Sequence, residues 1–204
     1  MKVVFVSPRY DPQAIGGAES AVRSLAEHLA TLPNFEVSAY STCALNHLSW
    51  ENEVPPGTED LNGVTVTRFA VAQARTEKFF EVDAALRRSP RTVTLAQSEH
   101  WLDLNGPVVP ELLDALAHKT ADVAVFTPYL FALTARGVLA SAMPSVMHPA
   151  ALGGAVEAEG SGTGEAFCDG REVKGGFIVG RRVHHRRHRR RQDAARRQGE
   201  EVWG

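Results

Sequence analysis

The sequence runs to 204 residues with a formal net charge of -2, enough chain for one well-buried domain and a tail but short for two full Rossmann-type domains. That near-neutral total hides a division near residue 150. Residues 1–150 carry 11 Lys and Arg against 16 Asp and Glu, whereas the remainder carries 11 against 8 together with about two-thirds of the glycines.

The run Val3 to Val6 is continuous, largely β-branched and followed at once by the turn residues Ser7-Pro8, as in a strand buried on both faces of a parallel sheet. It is too short for the apolar region of a signal peptide. After the loop Ser7 to Ala14 and the segment Ile15-Gly16-Gly17-Ala18-Glu19, apolar residues Val22, Leu25, Ala26 and Leu29 recur at helical spacing until Pro33-Asn34. Phe35, Val37 and Ala39 then alternate with polar residues. These elements form a βαβ unit, so the expected fold class is α/β: a single Rossmann-like domain with a mostly parallel sheet flanked by helices.

Val54-Pro55-Pro56-Gly57 reads as a loop, and Asn62-Gly63 as a turn leading into the alternating strand Val64 to Phe69. Helices are predicted over 75–89, closed by Ser89-Pro90, and over Ala96 to Leu104, broken by Asn105-Gly106-Pro107. Leu112, Leu113 and Leu116 mark a further helix with Pro110 in its first turn. Val123 to Phe126 is a buried-strand run, Tyr129 to Ala140 a helix, and Pro144 to His148 a last short strand.

From residue 152 the periodicity disappears. The predicted organisation is a domain over 1–151 and a disordered or out-of-frame Gly/Arg/His-rich tail over 152–204, in which Phe177-Ile178-Val179 is the only strand-like run. The Arg/His run from Arg181 to Arg191 is a solvated segment by default, so nucleic acid is not an expected partner. Only two cysteines occur, Cys43 and Cys168, which implies no disulfide framework; a reducing compartment and a cytoplasmic location are expected. No apolar stretch approaches the roughly 18 residues that span a bilayer, so membrane contact is expected to be peripheral at most.

Gly16 and Gly17 follow a buried strand and precede a helix. Two glycines there let the backbone take positive φ and approach a ligand, while the helix start offers unpaired N–H groups to an anion or a sugar hydroxyl. The alternative is a plain tight connection, and the pattern is not the dinucleotide fingerprint Gly-x-Gly-x-x-Gly. Glu19 suits the first helical turn as a complement to the dipole. Arg9 and Tyr10 lie just past the carboxyl end of the first strand, where open α/β sheets bind ligands, and Tyr129 occupies the same position after the strand Val123–Phe126. The candidate ligand-binding residues are therefore Arg9, Tyr10, Gly16, Gly17 and Tyr129.

The segment Ser7-Pro8-Arg9-Tyr10-Asp11-Pro12 through Ile15-Gly16-Gly17-Ala18-Glu19 resembles the family 4 glycosyltransferases of the GT-B fold. In order along about 150 residues, Ser41-Thr42-Cys43-Ala44, Trp50, Pro56-Gly57-Thr58, Asn62-Gly63-Val64, Arg68-Phe69, Gly106-Pro107, Pro110-Glu111-Leu112-Leu113 and Phe126-Thr127-Pro128-Tyr129-Leu130-Phe131 extend the likeness. The resemblance implies the acceptor-side half of an enzyme that moves a sugar from a nucleoside-diphosphate donor with retention of configuration. A sugar, sugar phosphate or glycan would be the acceptor, and the nucleotide sugar would bind only with a second, donor domain. Neither cofactor nor metal is implied, because backbone amides, helix dipoles and basic side chains can stabilise a leaving diphosphate.

Two departures stand out. Where the family pattern runs Pro-Ala-x-His-Asp-Glu, this chain has Pro149-Ala150-Ala151 followed by Leu152-Gly153-Gly154, so no catalytic residue carries over and His148 is an ordinary strand-end histidine. Glu157 and Glu165 have the spacing of the family's donor-domain glutamates, but the Gly-Ser-Gly-Thr-Gly between them cannot pack a strand and helix. The abrupt change near 151 is what an out-of-frame reading of a GC-rich gene would give. The chain is therefore expected to be inactive by itself. The alternatives are a non-catalytic sugar- or phosphate-binding Rossmann-like module and a nonfunctional fragment.

Overall fold

A computed structural model describes residues 1–14, 16–88 and 92–148, and the backbone of 178–180. In chain order the elements are β1 (Lys2–Val6), α1 (Gly17–Ala30), β2 (Glu36–Thr42), β3 (Gly57–Leu61), β4 (Val64–Phe69), α2 (Glu77–Arg88), α3 (Leu95–Asn105), α4 (Pro110–Leu116), β5 (Val123–Phe126), α5 (Ala132–Ala140), β6 (Ser145–Met147) and β7 (Ile178–Gly180).

The strands form one sheet in the order β3-β4-β2-β1-β5-β6-β7. Its five central strands are mutually parallel, and β3 and β7 close the two edges in antiparallel pairing. The α/β, mostly parallel architecture read from the sequence is thus the one observed. From β1 the chain moves to β2 on one side, and from β5 to β6 on the other, so connections diverge between β1 and β5. In sheets of this kind the crevice beyond the carboxyl ends of such a strand pair is where ligands bind.

Alternation along β1 explains how both faces are filled. Val4 and Val6 point into a cluster with Leu112, Leu116, Ala124, Phe126 and Leu133 on the side of α4 and α5. Val3 and Phe5 point the other way, into a cluster with Val22 and Ala26 of α1 and with Val37, Ala39, Val64 and Val66. Each such large side chain removed from water contributes about 1.5–3 kcal/mol, enough to hold both layers on the sheet.

Three elements differ from expectation. β3 has an exposed Gly-Thr-Glu-Asp sequence with no apolar alternation, and it forms because Asn62 (φ 53) and Gly63 (φ 82) make the two-residue turn that folds it onto β4. Helix α5 begins at Ala132 rather than Tyr129, with Phe131 in extended backbone before it and the Thr134 hydroxyl donating to the Pro128 carbonyl at 2.7 Å. Finally, Ile178–Gly180 of the expected tail pairs with β6. Cys168, Glu157, Glu165 and the Arg/His run lie outside the described residues.

Candidate functional site at the carboxyl edge of the sheet

The loop between β1 and α1 is held by charge. The Arg9 guanidinium donates from Nε (3.1 Å) and Nη2 (2.5 Å) to Glu19 Oε1, and from Nη1 to the Leu45 carbonyl at 3.1 Å. Both side chains are buried, 7% and 6% exposed. Arg68 of β4 donates to Asp11 Oδ2 at 2.8 Å and to the Tyr10 carbonyl at 3.3 Å, and it also meets Glu59. Arg23 donates to the Asp11 carbonyl at 2.7 Å. Charges paired at this depth fix the loop's course, because leaving either partner alone in the interior costs several kcal/mol.

Gly16 does not need the left-handed conformation expected of it. Its φ of 171 is extended backbone open to any residue. It is glycine for lack of space: a Cβ would lie 2.2 Å from Glu19 Oε2 and 3.2 Å from Arg9 Nη2. Gly17 is the opposite case. A Cβ there would meet nothing within 4 Å, and the residue lies exposed at the first position of α1, where helix N–H groups lack intrahelical acceptors. Among the described residues, no side-chain hydrogen bond caps this helix end.

The remaining candidates separate by depth. Tyr10 sits in the core on the α1 side; its hydroxyl has no hydrogen-bond partner among the described residues, and burial, reinforced by Glu27, raises its pKa. Arg9 is committed to Glu19 and Leu45. Tyr129 is 45% exposed on the loop after β5. The structure therefore leaves Gly17, at the start of α1, and Tyr129 exposed beyond two adjacent parallel strands, with Arg9 and Tyr10 buried.

A polar row that the sequence reading did not pick out runs across the same edge. One position beyond the paired residues Val6, Tyr40, Phe126 and Met147, the register aligns Ser7, Ser41, Thr127 and His148, and Arg68 pairs with Ser41 to extend the row onto β4. Backbone N–H groups of Ser7, Thr127 and His148 donate to Tyr40, Val6 and Phe126 carbonyls, which confirms the alignment. The Ser41 and Thr127 hydroxyls are buried and have no partner among the described residues. The signal that could have revealed the row was a polar residue at the same offset from the end of each buried strand.

Beside this row the loops after β2 and β4 and the end of α3 meet at Asn105. The Asn105 carbonyl accepts from Trp50 Nε1 (2.7 Å) and from Arg75 Nε (3.0 Å), and the Asn105 amide donates to the Leu130 carbonyl at 2.8 Å. Trp50 is buried with φ 57, a sparsely populated conformation for an aromatic residue, and packs edge-on against Phe131 with ring centroids 5.0 Å apart. Gly106 (φ 65) is glycine both for that angle and because a Cβ would lie 3.1 Å from the Trp50 ring.

Scans of family models, curated proteins and solved structures return no match to this chain. Geometry alone therefore speaks for the site. Among the described residues, no group of three or more His, Cys, Asp or Glu is placed to hold a metal, and no helix is long and apolar enough to cross a membrane.

Proposed function

We propose that residues 1–151 form the acceptor-side domain of a family 4, GT-B glycosyltransferase, binding a sugar, sugar phosphate or glycan at the β1/β5 crevice. In this reading a second domain binds the nucleoside-diphosphate sugar, transfer proceeds with retention, and residues 1–151 by themselves transfer nothing. What supports it is one observation above the others: Gly17, at the start of α1 and beside the divergence of β1 and β5, presents open backbone where no internal packing demands a glycine. The buried Arg9–Glu19 pair keeps that surface in place without occupying it.

With only one wall, ligand contacts stay hydrated, so dissociation constants for sugar phosphates should be millimolar, about -4 kcal/mol. The test is an NMR titration of the full chain with a sugar phosphate, following the amides from Arg9 to Glu19. Gly17→Val should abolish the response while leaving the sheet intact, since its Cβ has open space. Amides that stay unmoved at tens of millimolar ligand while others shift would reduce the glycines to a connection.

A further inference from the structure

Helices α2 and α3 face each other without filling the space between them. On α2, Asp83, Leu86 and Arg87 are spaced to share one face, and on α3 Ser98, Trp101 and Leu102 repeat that spacing. The two faces enclose a cleft of about 490 Å³, whose lining is completed by Val93 from between the helices. Leu86, Trp101 and Leu102 are only half-buried, so apolar atoms that a packed core would cover look onto open space. The volume is that of a small-molecule site, since ligand clefts run from about 300 to 1,000 Å³.

The polar groups of the lining decide which chemistry fits. Asp83 accepts from Arg87 Nε at 2.7 Å and from Trp101 Nε1 at 2.9 Å, and the Ser98 hydroxyl donates to the Thr94 carbonyl at 3.2 Å. With these groups engaged inside the helix pair, a sugar or a base would give up hydrogen bonds to water on entering and regain few. An alkyl chain gives up none. Charge then selects what the chain carries. The Arg87 side chain is 77% exposed despite its bond to Asp83, and Arg88 beside it is exposed and makes no ion pair among the described residues. Two cations against the one carboxylate of the lining leave positive charge in surplus at the carboxyl end of α2. Asp83 orients the Arg87 guanidinium, and a planar fork held in this way suits a carboxylate.

We infer that the α2–α3 cleft binds a single-chain carboxylic acid of the fatty-acid type, its alkyl chain against Leu86, Trp101 and Leu102 and its carboxylate at Arg87. Such a site needs neither a sugar nor a transferase at the β1/β5 crevice.

The test is a fluorescence titration of the full chain with ω-bromoundecanoic acid below its micellar concentration, because bromine quenches a tryptophan that it touches. Quenching should saturate in the unmodified chain and be absent in Trp101→Phe, whose other tryptophans still emit. The uncharged ω-bromoundecanol should bind roughly tenfold more weakly, and Arg87→Gln should bring the acid down to the level of the alcohol. Leu86→Asp, which sets a carboxylate in the lining and keeps Trp101, should abolish quenching. Where a variant fails to fold, nuclear Overhauser contacts between undecanoate and the Trp101 ring of the unmodified chain decide instead. Quenching that does not saturate, or that survives Trp101→Phe, overturns the site. Equal binding of acid and alcohol overturns its charge selection. A dimer in sedimentation, or co-sedimentation with phosphatidylglycerol vesicles, in a chain that ignores the free acid would give the cleft to a second copy or to a bilayer and overturn it as well.

Discussion

Helix α1 and the α2–α3 pair all combine apolar and charged residues, yet they are held in opposite ways. α1 buries Ala18, Glu19, Val22 and Ala26 against the sheet and is pinned at its start by a buried ion pair. α2 buries only Phe79 and α3 only Asn105; Leu95 is 75% exposed, and a cleft of about 490 Å³ lies between them, lined by Leu86, Trp101 and Leu102 among others. The first helix is fixed by tertiary burial. The second pair is fixed by the Thr94–Gln97 capping box, by Asp83 contacts with Arg87 and Trp101, and by the hydrogen bonds of Asn105 at the end of α3. A helix that lies on the sheet is anchored along its length, whereas α3 is joined to the core mainly at its last residue, Asn105.

Substitutions should reproduce that contrast. Glu19→Ala takes the carboxylate away from the buried Arg9 guanidinium and should cost about 3–5 kcal/mol in urea denaturation. A loss below about 1 kcal/mol would mean that the pair does not hold α1. Val22→Ala removes two carbons from a fully buried position and should cost roughly 2–3 kcal/mol, transfer and cavity together. On the other pair, Thr94→Ala loses a capping box and should cost about 1 kcal/mol, seen as faster amide exchange confined to α3 rather than as a global loss. Spread of that effect into β1 or β5 would show that α3 belongs to the core after all.

The same contrast sets what was legible in the sequence. Val3 to Val6, Val123 to Phe126 and the Val22–Ala26 spacing stood out because burial on the sheet imposes a period, and these elements define the α/β fold. β3 was missed because its residues are exposed, and its pairing comes from the turn rather than from its own pattern. At the site, sequence could place Gly16, Gly17, Arg9 and Tyr129 at strand ends, but not say that Arg9 faces inward or that Gly16 is a matter of space. Those depend on Glu19 and Leu45 arriving from elsewhere in the chain. The gathering of Trp50, Arg75 and Asn105 has no local signature at all, since two come from different loops and the third from the end of α3.

The pairing of Ile178–Gly180 with β6 bears on where the domain ends. Composition draws the boundary near 151, yet the sheet does not stop there. A chain cut at that point keeps β1 to β6 and both apolar clusters, but loses the strand that covers one flank of β6. The N–H and C=O groups along that flank would then be offered to a second molecule, which is how uncovered sheet edges seed self-association. Three paired residues thus cover one flank of β6.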